Sequence, residues 1–196
     1  MPTKAKSKRK VARKTASRSK PKAAKATKRA PSGPSQKQQF LDSFTKEHAT
    51  TLKVLHAFPA DQSEFRPHPR SRSARELAFT FVLEQMLISR ALTNTLTLGA
   101  GAPPVPTGDF HGIISQFADD HADLVSLIRK TPENDFNTTV KFYSGPGQLT
   151  DYPKLMFAWF MLSDQIHHRG QLSVYLRMAG GKVPSIYGPS ADEPWR

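Results

Sequence analysis

Apolar side chains recur at steps of three and four residues through most of the chain after residue 36, the spacing that stacks side chains on one face of a helix. In residues 37–58 the stripe is Phe40, Phe44, His48, Leu52 and Leu55, and Pro59 ends it. Pro67 and Pro69 make residues 60–72 a loop. Ser73 and Glu76 then form an S-x-x-E capping box ahead of an unusually apolar run (Leu77, Phe79, Phe81, Val82, Leu83, Met86, Leu87, Ile88). This predicts a second helix, central to a bundle and running to about residue 98. Glycines and prolines break residues 99–108, and Phe110, Ile113, Ile114, Phe117, His121, Leu124, Val125 and Ile128 give a third stripe over 109–130. Residues 131–151 lack helical period. Weak alternation over 139–142, followed by the turn formers Ser144, Gly145, Pro146 and Gly147, reads as a short hairpin or an extended crossover. A last helix is expected from residue 150 or 151, with Pro153 in its first turn, to the glycine pair Gly180–Gly181.

That last helix carries chemistry inside its stripe. Phe157, Met161, Asp164, His168, Leu172 and Tyr175 share one face, apolar at both ends, with a carboxylate and an imidazole between. Asp164 and His168 are one turn apart, so both reach one point beside the helix, a spacing that suits a shared metal ion or a plain hydrogen bond. His167 is turned about 100° away and does not share that point. Glu84, one turn after Thr80, either faces inward or pairs at the rim. His48 and His121 lie on apolar stripes, where a lone histidine reads as a packed core group before it reads as a ligand. Asp119, Asp120 and Asp123 read as a solvated face.

Charge divides the 196 residues into an arm and a body. Residues 1–30 hold 13 of the 29 Lys and Arg and none of the 16 acids, so the net charge of +13 belongs to the arm. Residues 37–196 balance 16 basic against 16 acidic side chains and are long enough for one core. The arm, residues 1–36, has almost no large apolar group and is expected to be disordered. Its clusters, Lys8, Arg9, Lys10, Arg13 and Lys14, then Lys20, Lys22, Lys25, Lys28 and Arg29, resemble lysine- and alanine-rich histone-like tails. They point to phosphate neutralisation on nucleic acid without base readout; a solubility tail and a targeting segment are the alternatives. There is no cysteine, which excludes thiol catalysis, cysteine-ligated zinc and disulfides. No secretory apolar region opens the chain and no apolar run approaches bilayer-spanning length. A cytoplasmic protein, nucleoid-associated if the arm binds DNA, is expected.

The runs HHRGQLSVYLR and VPSIYGPSADE resemble the C-terminal helix and tail of the DinB/YfiT-like family, and the resemblance extends from Gln38 to Glu193. It implies an all-α four-helix bundle with a long crossover before the last helix. In that family three histidines surround a divalent metal, one from the second helix and two from the last, four residues apart. His168 matches the final one, and the other last-helix position is Asp164. The second-helix pattern, S-x-x-E-L-x-x-H, runs here from Ser73 through Glu76 and Leu77 to Thr80. The resemblance thus implies a first shell of Thr80, Asp164 and His168, with Glu84 or His48 able to complete it. Zinc or nickel suits the family's imidazoles, whereas one histidine and one carboxylate favour harder ions such as magnesium or manganese. The competing reading is a metal-free hydrogen bond in a degenerate site. Arg169 and Gln171 are family signature residues with structural roles.

Two functions follow from the sequence. One is a protein with an altered divalent-metal site, working as a hydrolase or transferase of unknown substrate. The other is a non-catalytic nucleic-acid-associated protein whose arm supplies DNA affinity and whose bundle supplies homodimerisation or ligand sensing.

Overall fold

The computed structural model describes residues 33–99, 104–105 and 109–195. The basic side chains named above, from Lys8 to Arg29, lie outside the described residues. Among the described residues there are four α-helices: α1 (Gln36–Ala57), α2 (Ala74–Leu92), α3 (Phe110–Lys130) and α4 (Lys154–Met178). Two strands, β1 (Thr139–Gly145) and β2 (Gln148–Pro153), form an antiparallel hairpin between α3 and α4. Among the described residues, no helix is long and apolar enough to cross a membrane.

The helix starts are set by local chemistry. Ser35 Oγ accepts from the Gln38 N–H and caps α1. At α2 the Ser73 hydroxyl accepts from the Glu76 N–H at 3.2 Å, and the Ser73 N–H donates back to Glu76 Oε2 at 2.7 Å, completing the box read from the sequence. Asp109 caps α3 through the His111 N–H. The end of α4 is a Schellman turn. Gly180 has φ of 82°, and the Gly180 and Gly181 N–H groups reach the carbonyls of Arg177 and Leu176. A Cβ on Gly181 would lie 2.2 Å from Leu176 Cδ1, so a side chain there would have to displace that buried leucine.

Two boundaries differ from expectation. α2 stops at Leu92 rather than near residue 98, because Asn94 turns into the left-handed region (φ 58°) and its amide oxygen accepts from the buried Lys154 Nζ at 2.7 Å. α4 begins at Lys154, not at 150 or 151, because residues 148–153 are committed to pairing with β1, from Thr139 opposite Pro153 to Gly145 opposite Gln148. The long connection before the last helix is therefore a 3-10 turn followed by a hairpin.

α2 packs on α3 and α4, and α1 packs on the same two helices from the other side. The core forms two apolar clusters. One joins Val54 and Leu55 of α1, and Phe58 just after it, to the start of α2, the start of α3 and the end of α4. The other joins Phe40 and Phe44 to the end of α2, the end of α3 and the start of α4. α1 and α4 thus run one way, α2 and α3 the other. Between the clusters, at mid-height, every helix contributes buried polar side chains: His48 and Thr51, Glu84 and Gln85, His121, and Gln165 and Arg169.

A candidate metal centre in the polar layer

Buried polar groups are costly unless partnered, so the layer's hydrogen bonds indicate what it is built to do. They separate into three sets. In the first, Glu84 of α2 faces α4. Its side chain is 3% exposed, and His168 Nδ1–H donates to its Oε1 at 2.7 Å. Asp164 Oδ1 lies 3.9 Å from the same nitrogen, on the more open side, with 39% of its side chain exposed. One donor atom from each of Glu84, Asp164 and His168 falls within 4.8 Å of the others, the spacing of groups able to share a cation.

The electrostatics of this set are unbalanced. Burial pushes the Glu84 carboxyl up to about 7, despite the hydrogen bond from His168. That hydrogen bond in turn raises His168 above its ordinary value. Among the described residues, the buried Glu84 Oε2 has no hydrogen-bond partner. A carboxylate held out of water with one oxygen unused fits a cation: the ion would offset the desolvation and take the free lone pairs. The donor set, two carboxylates and an imidazole, is suited to a divalent ion.

Thr80 stands one turn before Glu84, but its hydroxyl is otherwise engaged. It accepts from Arg72 Nη1 at 2.9 Å and donates to the Glu76 carbonyl at 3.2 Å. The position at which the resemblance implies a histidine therefore carries a threonine tied to an arginine. Arg72, His168, Gln171 and Tyr175 line a cleft of about 450 Å³ that opens beside the cluster.

His48 belongs to a second set. Its ring stacks on His121 with centroids 3.6 Å apart and planes 11° from parallel, and its Nδ1 accepts from Gln85 Nε2 at 3.3 Å. Burial lowers His48 to about 3 and His121 to about 4, so both rings are neutral. Glu84 and Gln85 are neighbours on α2, yet they serve different clusters because a helix turns about 100° per residue. The sequence offered no sign of Gln85, whose partner His48 comes from another helix.

The third set is structural. Arg169 is 1% exposed and pairs with Glu47 Oε2 at 2.7 Å. It also donates to the Tyr187 hydroxyl and to Thr51 Oγ1, and Tyr187 in turn donates to Glu47 at 2.7 Å. The signature arginine thus ties α4 to α1 and to the C-terminal tail. Within that tail, Asp192 receives Arg177 and the Val183 N–H. Gln171 instead meets His167 at the surface.

Comparison with known proteins agrees with this architecture. A protein from Bacillus subtilis (strain 168), described as uncharacterized protein YrdA, is 27% identical over 154 residues, covering 79% of this chain and 89% of that protein. The crystal structure of a DinB-like protein from Bacillus cereus ATCC 10987 superposes with a TM-score of 0.64 at 24% identity, covering 76% of this chain and 95% of that one. The DinB-like protein YjoA of Bacillus subtilis superposes with a TM-score of 0.59 at 15% identity, covering 74% and 95%. At those identities the two structures bear on the fold alone. The DinB family signature matches residues 31–195, and the chain belongs to the DinB family.

Proposed function

We propose that Glu84, Asp164 and His168 hold a divalent cation, and that the protein uses it in hydrolysis or group transfer on a small molecule. The observation that carries the reading is the buried, partnerless oxygen of Glu84 beside two further donors. With two carboxylates to one imidazole, the donor set favours manganese or magnesium over the zinc or nickel expected of three histidines. A bound ion of this kind supplies Lewis acidity and lowers the pKa of a coordinated water. The chain's own residues supply the rest. Glu84 is held rigidly between two helices, Asp164 sits at the open edge, and the Arg72 guanidinium beside the cleft favours a substrate carrying negative charge. Calorimetric titration of the purified protein with manganese and zinc tests this. A one-to-one complex that Glu84→Gln weakens about 100-fold supports the reading; no binding to the wild type refutes it.

We propose a second role for residues 1–30, binding of a polyanion such as DNA through phosphate contacts. Thirteen basic side chains without one acid favour it. Affinity for duplex DNA is expected to fall steeply with salt and to vanish on deletion of residues 1–30. Binding retained by the truncated chain refutes it.

A further inference from the structure

Glu84 faces α4, whereas Gln85, one residue on, lines a separate cavity on the other flank of α2. There α2 and α3 enclose about 840 Å³, against about 450 Å³ for the cleft beside His168. The floor is apolar and buried, made by Phe79 and Val82 of α2 and Leu124 of α3. Leu83 and Met86 add a partly buried wall. A cavity of this size, mostly apolar with a few polar groups, suits a small organic molecule.

The polar groups of that lining are left unsatisfied by the protein. Gln85 is 1% exposed and its Nε2 donates to His48. Among the described residues, its Oε1 has no hydrogen-bond partner. A buried carbonyl oxygen in that state is costly unless a donor reaches it. Asp120 and Asp123, three residues apart on α3, also line the cavity. Burial and the charges of Asp123 and Asp119 raise the Asp120 carboxyl above its ordinary value, against a hydrogen bond from Gln116. Among the described residues, Asp120, Asp123 and Arg90 are in no ion pair. Two carboxylates against the single Arg90 guanidinium leave the lining with one surplus negative charge.

We propose that this cavity binds an organic cation, with an ammonium group toward Asp120, Asp123 and the Gln85 amide oxygen and an apolar body over Phe79, Val82 and Met86. An ammonium group carries donors and no acceptor, which matches an edge made of acceptors. A bare metal ion would leave the apolar walls unused, and an anion would meet the surplus negative charge. Arg90, one turn beyond Met86, disfavours a second positive charge, so a monocation fits better than a polyamine. The site is independent of the cation proposed at Glu84, because the two lie on different flanks of α2.

Tryptamine, tryptophol and indole-3-acetate share one ring system and differ in charge, so they serve as probes. In calorimetric titration of the full-length protein at pH 7, tryptamine should bind one-to-one and roughly tenfold or more tighter than the alcohol or the acid. Asp123→Asn, at an exposed position, should weaken tryptamine about tenfold and leave tryptophol unchanged. Leu83→Trp, which fills the cavity, should abolish tryptamine binding with an unchanged helical circular dichroism spectrum. Backbone amide shifts caused by tryptamine should cluster in residues 82–90 and 116–127. Absence of saturable tryptamine binding below about 10 mM overturns the proposal. So does equal affinity for tryptophol, an unaltered affinity in Asp123→Asn, or shifts centred on Asp164, which would put the amine at the carboxylates beside α4.

Discussion

Glu84 and Gln85 are adjacent on one helix and both are buried, yet the clusters they anchor handle charge in opposite ways. Around Gln85, two imidazoles stack face to face, and burial holds both neutral near pH 7. Around Glu84, a carboxyl and an imidazole are both raised, so the folded chain retains protons there that the unfolded chain releases. The first cluster excludes charge and closes the core between α1, α2 and α3. Both leave buried atoms without a hydrogen-bond partner among the described residues, Gln85 Oε1 and His121 Nδ1 in the first and Glu84 Oε2 in the second, but the second gathers charge and opens through Asp164 to water. A polar residue in a bundle core is thus no evidence of a site by itself; the difference lies in whether its partners neutralise it or leave it short of a cation.

The largest expected effect separates the two clusters by pH. His48 and His121 titrate at about 3 and about 4 when folded, against 6.5 as the ordinary value. Between those values the unfolded chain binds more protons, so this cluster's contribution is full above pH 6.5 and falls as pH falls. The loss at pH 5 is at most roughly 2 kcal/mol for either histidine alone, and less than twice that for the pair, because part of the His48 shift comes from His121. Glu84 has the opposite sign. Its folded value of about 7 against 4.5 gives a contribution present below pH 4.5 and lost as pH rises through 7. Urea denaturation of the metal-free protein at pH 5 and pH 7 measures both. The wild type should gain stability towards pH 7, and His48→Phe/His121→Phe should reverse the slope. An unchanged slope in the double variant would break the comparison.

Next in size is Glu84→Gln, which removes the buried charge and should weaken manganese binding about 100-fold, or about 3 kcal/mol. His48→Phe should leave the affinity unchanged, and calorimetry on the two variants sharpens the contrast. Asp164→Asn, at the exposed edge, should cost less, about tenfold, because water can replace its oxygen. The smallest change is expected from Thr80→His. It adds a second imidazole at the price of the Arg72 contact, and a zinc-over-manganese preference raised by a few fold in competition titrations would register it.

Helical spacing made most of the bundle legible: the stripes of α1 and α3, the Ser73–Glu76 box and the glycine stop after α4 all follow from local pattern. The end of α2 did not, because Leu96 and Leu98 continue the apolar period and only the left-handed turn at Asn94, fixed by Lys154 from a distant helix, breaks it. The start of α4 was hidden by strand pairing, which no local window contains. Asp164 and His168 could be read as one point because they share a helix. Glu84 was an ambiguous carboxylate until α2 and α4 were set side by side, and its partnerless oxygen is a property of packing alone. Likewise, the sequence marked His48 and His121 as core residues separately but not as a stacked pair.

The proposed cation would lie in the space between Glu84, Asp164 and His168. Crystals grown with manganese and measured at an energy where the ion scatters anomalously test it directly. One strong anomalous peak is expected within bonding distance of all three side chains, absent in crystals of Glu84→Gln. A map with no peak there, with His168 still hydrogen-bonded to Glu84, would contradict it.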